Sequence, residues 1–252
     1  MTDISQQPVE PRPAEPRPVA GLWATLGWFI LALVSSQIVG TVVLILLRPD
    51  ALTGGIDTLV KDGVVVALSN IPANAVQVVI LALASRRRDW SFTEYLGLVW
   101  PAPRDAVVAL WILVIFLLGY DALTYALGRD IVTPFQVETY RSAREAGMLP
   151  LFSFALVIAA PVAEEIMFRG FLFRGWVTSE RMAILGILLI SALFAAIHIQ
   201  YDWFGILQVF FIGLLFGLMR WRSGSTTLTI LMHVLANLWA TVETMIKVEW
   251  LS

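Results

Sequence analysis

Cysteine is absent from the 252 residues, histidine occurs twice, and charged side chains make up only 14% of the chain. The first absence excludes disulfides, thiolate metal sites and a cysteine nucleophile. The scarcity of charge excludes an ordinary soluble surface, because a soluble domain carries about 25% charged residues. With 58% hydrophobic residues and a mean hydropathy of +0.79, most of this surface must meet lipid. A formal net charge of −2 lacks the basic face of nucleic-acid binders, so no nucleic-acid partner is expected.

What is present divides sharply. Residues 1–20 hold two copies of Glu-Pro-Arg-Pro, Glu10–Pro13 and Glu15–Pro18. Proline fixes φ and lacks an amide donor, so this reads as a disordered, solvated cytoplasmic tail. The apolar run from Ala20 to Leu47 is too long for a signal-peptide core, so no cleaved signal is expected. A spanning helix needs about 20 apolar residues. That rule gives about seven spans, at 21–47, 63–85, 104–127, 149–174, 182–200, 203–220 and 225–246. The expected organisation is all-α, a polytopic transmembrane bundle. It comprises the tail, N-terminal helices and loops over 21–148, a core over 149–246 and a short tail over 247–252. Residues 134–146 read as an amphipathic interfacial helix. Around Pro72, the stripe Asn70, Asn74 and Gln77 follows helical spacing and should face other helices. Gly213 and Gly217 read as a close-packing pair.

Orientation follows the placement of Lys and Arg. With the N-terminus inside, the cytoplasmic side holds Arg12, Arg17, Arg86, Arg87, Arg88, Arg104, Arg174, Arg181, Arg220 and Arg222. The other side holds Arg48, Lys61, Arg129, Arg141, Arg144 and Lys247. Ten against six places the N-terminus in the cytoplasm and the C-terminus outside.

Ionisable groups within a span cost about 2.5–3.5 kcal/mol each at the helix centre, so each needs a reason. Span four carries Ala-Pro-Val-Ala-Glu-Glu-Ile-Met-Phe-Arg-Gly, with Glu164, Glu165 and Arg169. Glu165 and Arg169 are an i,i+4 pair with the acid first, the better orientation for pairing. Glu164 points about 100° away around the helix axis and is left available. Pro161 removes a helical hydrogen bond just before the pair, which kinks the helix or opens space for water. Span five carries Phe194 and His198, span seven His233 and Asn237 one turn apart. Singly, a buried histidine is most often a hydrogen-bonded core residue, and His233–Asn237 could be inter-helix polar glue. Asp121, in span three, is assigned no role. Together the last four spans supply a carboxylate, two imidazoles and a carboxamide. That inventory suits water attack on an amide, with a base for the proton and donors for the oxyanion.

The ordered triple Glu164-Glu165-Ile-Met-Phe-Arg169, Phe194-x-x-x-His198 and His233-x-x-x-Asn237 resembles the CAAX prenyl protease and bacteriocin-processing (Abi) family of intramembrane endopeptidases. The resemblance covers about residues 149–240. It implies a helical bundle with an intramembrane cavity facing the cytoplasm. By carry-over, Glu164 and His198 activate a water, and His233 with Asn237 stabilises the oxyanion. Glu165, Arg169 and Phe194 support them. The implied substrate is a membrane protein or a lipidated (prenylated) or leader peptide, and the implied location a bacterial inner membrane.

Zinc is the mechanistic alternative, since Glu164, His198 and His233 together make a known ligand set. No His-Glu-x-x-His occurs, and an oxyanion pair accounts better for Asn237, so no cofactor is expected. Two other functions compete. One is a non-catalytic immunity or regulatory partner. The other is a transporter, which the lack of an internal repeat disfavours.

Overall fold

The computed structural model describes residues 20–49, 61–86 and 90–251. The proline-rich tail up to residue 19, and Arg87 and Arg88 of the orientation count, lie outside the described residues. The helices are α1 (Leu22–Leu47), α2 (Gly63–Arg86), α3 (Phe92–Leu96), α4 (Pro103–Ala126), α5 (Pro134–Glu145), α6 (Leu149–Trp176), α7 (Glu180–Ala196), α8 (Trp203–Ser223) and α9 (Thr226–Trp250). Among the described residues there are no strands. Six helices, all but α3, α5 and α7, are long and apolar enough to cross a membrane. The chain is an all-helical integral membrane protein.

The local starts and stops are written in the sequence. Thr133 accepts from the Gln136 amide in a capping box, and Pro134 occupies the first turn, where a missing amide hydrogen costs nothing. Asp202 caps α8 through Gly205 N, and Ser225 caps α9 through Leu228 N. Gly97, at φ 66°, ends α3 in the left-handed region that favours glycine. Its carbonyl then accepts from Thr226 N, joining that turn to the start of α9.

The expected span over 182–200 is instead the 17-residue α7, which ends at Ala196 with Ile197 as its C-cap. His198 lies beyond the helix, in the 197–202 connection. The last helix runs beyond 246 to Trp250.

The central element is α6, whose apolar window is 56% buried, against at most 33% in the other five spans. It packs against α1, α2, α7, α8 and α9. An edge-to-face aromatic chain fixes its upper half: Phe29 meets Phe168 at 5.4 Å and Phe168 meets Phe194 at 5.2 Å. Gly213 and Gly217 do admit close packing, against Ser191 and Ile187 of α7 respectively. A Cβ at Gly217 would come within 2.9 Å of Ile187. Large apolar side chains such as Trp111, Ile115 and Ile184 face outward, as a lipid solvent allows.

Polar contacts collect at two rims. At one, Arg48 pairs with Asp62 at 2.7 Å, Lys61 with Glu138 at 3.0 Å, Arg144 with Glu249 at 2.7 Å, and Arg129 with Asp202. α5 lies across this rim, with Thr139, Tyr140 and Ala143 buried on one face. Its expected amphipathic form is what folds. The other rim holds Arg86, α3, Arg174 and the α8–α9 turn. The described basic residues therefore sort into the two groups that the sequence separates. A single cysteine can report which rim is cytoplasmic, because the chain has none of its own. In sealed inverted and right-side-out vesicles, Thr178→Cys should label only from the cytoplasmic face and Asp130→Cys only from the opposite one. The reverse pattern overturns the orientation.

The rims also explain the depth of the histidines. Thr226 Oγ1 reaches the Arg169 carbonyl at 3.4 Å, so α9 begins level with Arg169 and not with the end of α6. The seven residues from Arg169 to Trp176 rise about 10 Å. That stagger brings His233, near the start of α9, level with His198, beyond the end of α7.

Candidate active site

Glu165 and Arg169 form the centre. Both side chains are fully buried, and Arg169 Nη1 donates to Glu165 Oε1 at 2.8 Å. Arg169 Nη2 donates to the Gly213 carbonyl at 3.1 Å, and its guanidinium lies 4.3 Å from the centre of the Phe194 ring. Its own backbone carbonyl accepts from Arg220 Nε at 3.0 Å. One residue thus ties α6 to both α7 and α8.

His233, 5% exposed, reaches the same carboxylate: its Nδ1 donates to Glu165 Oε1 at 3.0 Å. Its Nε2 then faces Glu164 Oε2 at 3.9 Å. Glu164 keeps 22% of its side chain exposed, and its buried Oε2 has no hydrogen-bond partner. The two adjacent glutamates are therefore different groups. Glu165 is hydrogen-bonded to an arginine and a histidine; Glu164 is hydrogen-bonded to neither.

His198 is oriented from its own chain, Nδ1 donating to the Phe194 carbonyl at 2.7 Å. In the neutral ring this leaves Nε2 as an acceptor. The Phe194 ring touches both histidines, at 4.8 Å from His198 and 5.7 Å from His233. Phe194 thus separates and aligns the two imidazoles. Burial pushes the His198 imidazole down, and the charge of Glu164 opposes that shift. The structure brings Glu164, Glu165, Arg169, Phe194, His198 and His233 together from α6, α7 and α9.

Asn237 sits one turn further along α9, and its Nδ2 donates to the Leu156 carbonyl at 2.7 Å. The need for that bond comes from α6. Residues Ala155–Ala159 are π-helical, and the Ala160 amide bonds to the Ala155 carbonyl. The next amide position is Pro161, which has no hydrogen. The Leu156 carbonyl is therefore orphaned, and Asn237 satisfies it. One amide hydrogen of Asn237 is used in this way; the second is available.

Two features escaped sequence reading. Tyr201, in the 197–202 connection, stacks on His198 at 6.2 Å with ring planes 9° apart. Burial first, and the charge of Glu164 second, push its phenol up to about 12, so it stays a neutral donor. A polar aromatic three residues after a candidate histidine was the available signal. The second feature involves Asp121, which accepts from Trp239 Nε1 at 3.1 Å, while the same indole donates to Glu243 at 2.9 Å. It ties α4 to α9, away from Glu164. Among the described residues, no three His, Asp or Glu side chains are grouped closely enough to hold a metal ion. Nδ1 of each histidine is held, by the Phe194 carbonyl and by Glu165, so Nε2 is the ring nitrogen that either could turn to a reacting group or an ion.

Residues 146–239 match a family described as type II CAAX prenyl endopeptidase, Rce1-like. The match takes in every residue of the buried cluster and Asn237. No curated protein and no solved structure matches the chain.

Proposed function

From the premise that the chain carries a domain of the Rce1-like CAAX endopeptidase family, we propose that it hydrolyses a peptide bond within the membrane by a glutamate-activated water. The observation that carries this reading is the split between the two glutamates: Glu165 is neutralised by Arg169, while Glu164 Oε2 makes no hydrogen bond and meets only His233 Nε2, at 3.9 Å. A carboxylate without a hydrogen-bond partner is free to take a proton. Water, held between Glu164 and the acceptor Nε2 of His198, attacks the scissile carbonyl carbon, and its proton passes to Glu164. The carbonyl oxygen becomes an oxyanion. His233 stabilises it through Nε2–H, which requires both ring nitrogens to carry a proton because Nδ1–H serves Glu165. Asn237 supplies its second amide hydrogen. Collapse of the tetrahedral species breaks the C–N bond, and Glu164 returns the proton to the leaving amine.

The substrate is a lipidated or leader peptide, or a segment of another membrane protein, presented from the cytoplasmic face of a bacterial inner membrane with the N-terminus inside. The test is cleavage, by purified protein in liposomes, of a peptide in farnesylated and unmodified forms, read by mass spectrometry. Cleavage of neither form nor of a leader peptide, together with a wild-type phenotype for Glu164→Ala in cells, favours the non-catalytic partner instead.

Loss of one oxyanion donor costs about 100- to 1,000-fold in rate. Asn237→Ala is expected to lose that much kcat. Activity of the wild type should survive exhaustive chelation. One zinc per chain by elemental analysis, lost with activity and restoring it on return, would overturn the metal-free mechanism.

A further inference from the structure

Glu164 owes its direction to its backbone, because its side chain has no hydrogen bond to fix it. The helix beneath it is irregular on both sides. α6 is π-helical over Ala155–Ala159, α-helical over Ala160–Glu165, and π-helical again over Ile166–Leu172. Such changes of register displace carbonyls from their intrahelical partners. In a membrane interior each displaced carbonyl needs another donor. Asn237 serves the first junction. At the second, the Ala163 carbonyl shares the Ile166 amide with the Val162 carbonyl, and it accepts from Gln77 Nε2 at 3.0 Å. Gln77 is 4% exposed. It belongs to α2, outside residues 146–239, and reaches across 86 positions of sequence.

We propose that Gln77 is a positioning residue for Glu164: by holding the carbonyl of the preceding residue, it sets the rotation of the turn from which that carboxylate reaches the water. The inference rests on reading Glu164 as the base. Ala163 and Glu164 share one peptide plane, so a carbonyl fixed at its oxygen fixes the direction in which the Glu164 Cα–Cβ bond leaves the helix. Glu165 needs no such help, being held by Arg169 and His233. The alternative role, polar glue between α2 and α6, predicts lost stability with no selective effect on turnover.

Two substitutions separate the roles. Gln77→Leu removes the donor and leaves an apolar side chain that a buried site accepts. Gln77→Glu keeps the shape but donates only when protonated. A misplacement of about 1 Å at a reacting group costs on the order of 100-fold. Gln77→Leu should therefore lose about 10- to 100-fold in kcat with KM within about twofold, while still folding. Gln77→Glu should show an acid-shifted activity profile, falling with rising pH where the wild type remains active. Wild-type kcat in Gln77→Leu, or a Gln77→Glu profile superimposable on the wild type, overturns the proposal. If the wild type cleaves nothing, the proposed function fails instead, and hydrogen exchange then decides on the clamp. Faster exchange of the 163–168 amides in Gln77→Leu upholds the placement of this turn by Gln77; unchanged exchange overturns it.

Discussion

Glu165→Gln should cost about 3–5 kcal/mol of stability, the usual consequence of removing one partner from a fully buried ion pair. The size of the effect follows from what remains. Arg169 is fully buried, and among the described residues Glu165 is its only carboxylate within hydrogen-bond reach. Its other acceptor is a neutral carbonyl, that of Gly213. The neutral amide also weakens the bond from His233 Nδ1, so α9 loses part of its anchor to α6. Thermal unfolding in detergent should drop sharply, and expression with it. Glu165→Gln/Arg169→Met should recover most of the loss, since an apolar replacement of both partners leaves no uncompensated charge. A Glu165→Gln protein that melts with the wild type would remove the pair from the centre of the fold.

That pair shows what could be read from residue order. Spacing alone gave Glu165–Arg169, because i,i+4 partners share a helix face whatever surrounds them. Six of the seven expected membrane spans were equally legible, since lipid demands long apolar runs, and their observed bounds differ from expectation mainly at helix ends. The bond from His233 to Glu165 was not legible. It joins residues 68 positions apart, and its geometry depends on where α9 begins relative to α6. For the same reason the depths of His198 and His233 conflict when each is counted from its own helix start. The stagger that resolves them is set by Thr226 meeting Arg169, a tertiary contact. α7 ended early because the 197–202 connection turns back through Asp202, the cap of α8, and no hydropathy window sees a cap.

The polar stripe on α2 is an intermediate case. Its spacing showed that Asn70, Asn74 and Gln77 face protein, but only the π-helical stretches of α6 explain the demand for a donor there. Pro161 was a visible signal of irregularity. Asn70 bonds within its own helix, to the Val66 carbonyl at 2.8 Å, and Gln77 alone of the three has a hydrogen bond to α6 in the structure. The family match begins at the boundary of α5 and α6. The site does not, because α2 contributes one of the two carboxamides that support it.

Glu164→Gln should abolish hydrolysis and leave the fold intact, the opposite of its neighbour. The amide is nearly the same size and can neither accept the proton of water nor return it to the leaving amine. A positioned general base contributes typically about 100- to 10,000-fold, and here the same group serves both transfers, so the loss should lie at the upper end. Stability should not fall. The buried Oε2 of Glu164 has no hydrogen bond to lose, and its nearest charged partner, His233 Nε2, is 3.9 Å away. Replacing this partly buried carboxylate with a neutral amide removes a desolvation cost that a 3.9 Å contact without a hydrogen bond offsets only in part. The melting temperature should therefore equal or exceed that of the wild type. The decisive comparison is kcat and melting temperature measured on the same preparations of Glu164→Gln and Glu165→Gln. Loss of turnover without loss of stability in the first, and loss of stability in the second, supports the assignment of separate roles. A Glu164→Gln protein that still cleaves would move the base elsewhere, with His198 the next group to substitute. One that unfolds like Glu165→Gln would make both glutamates structural.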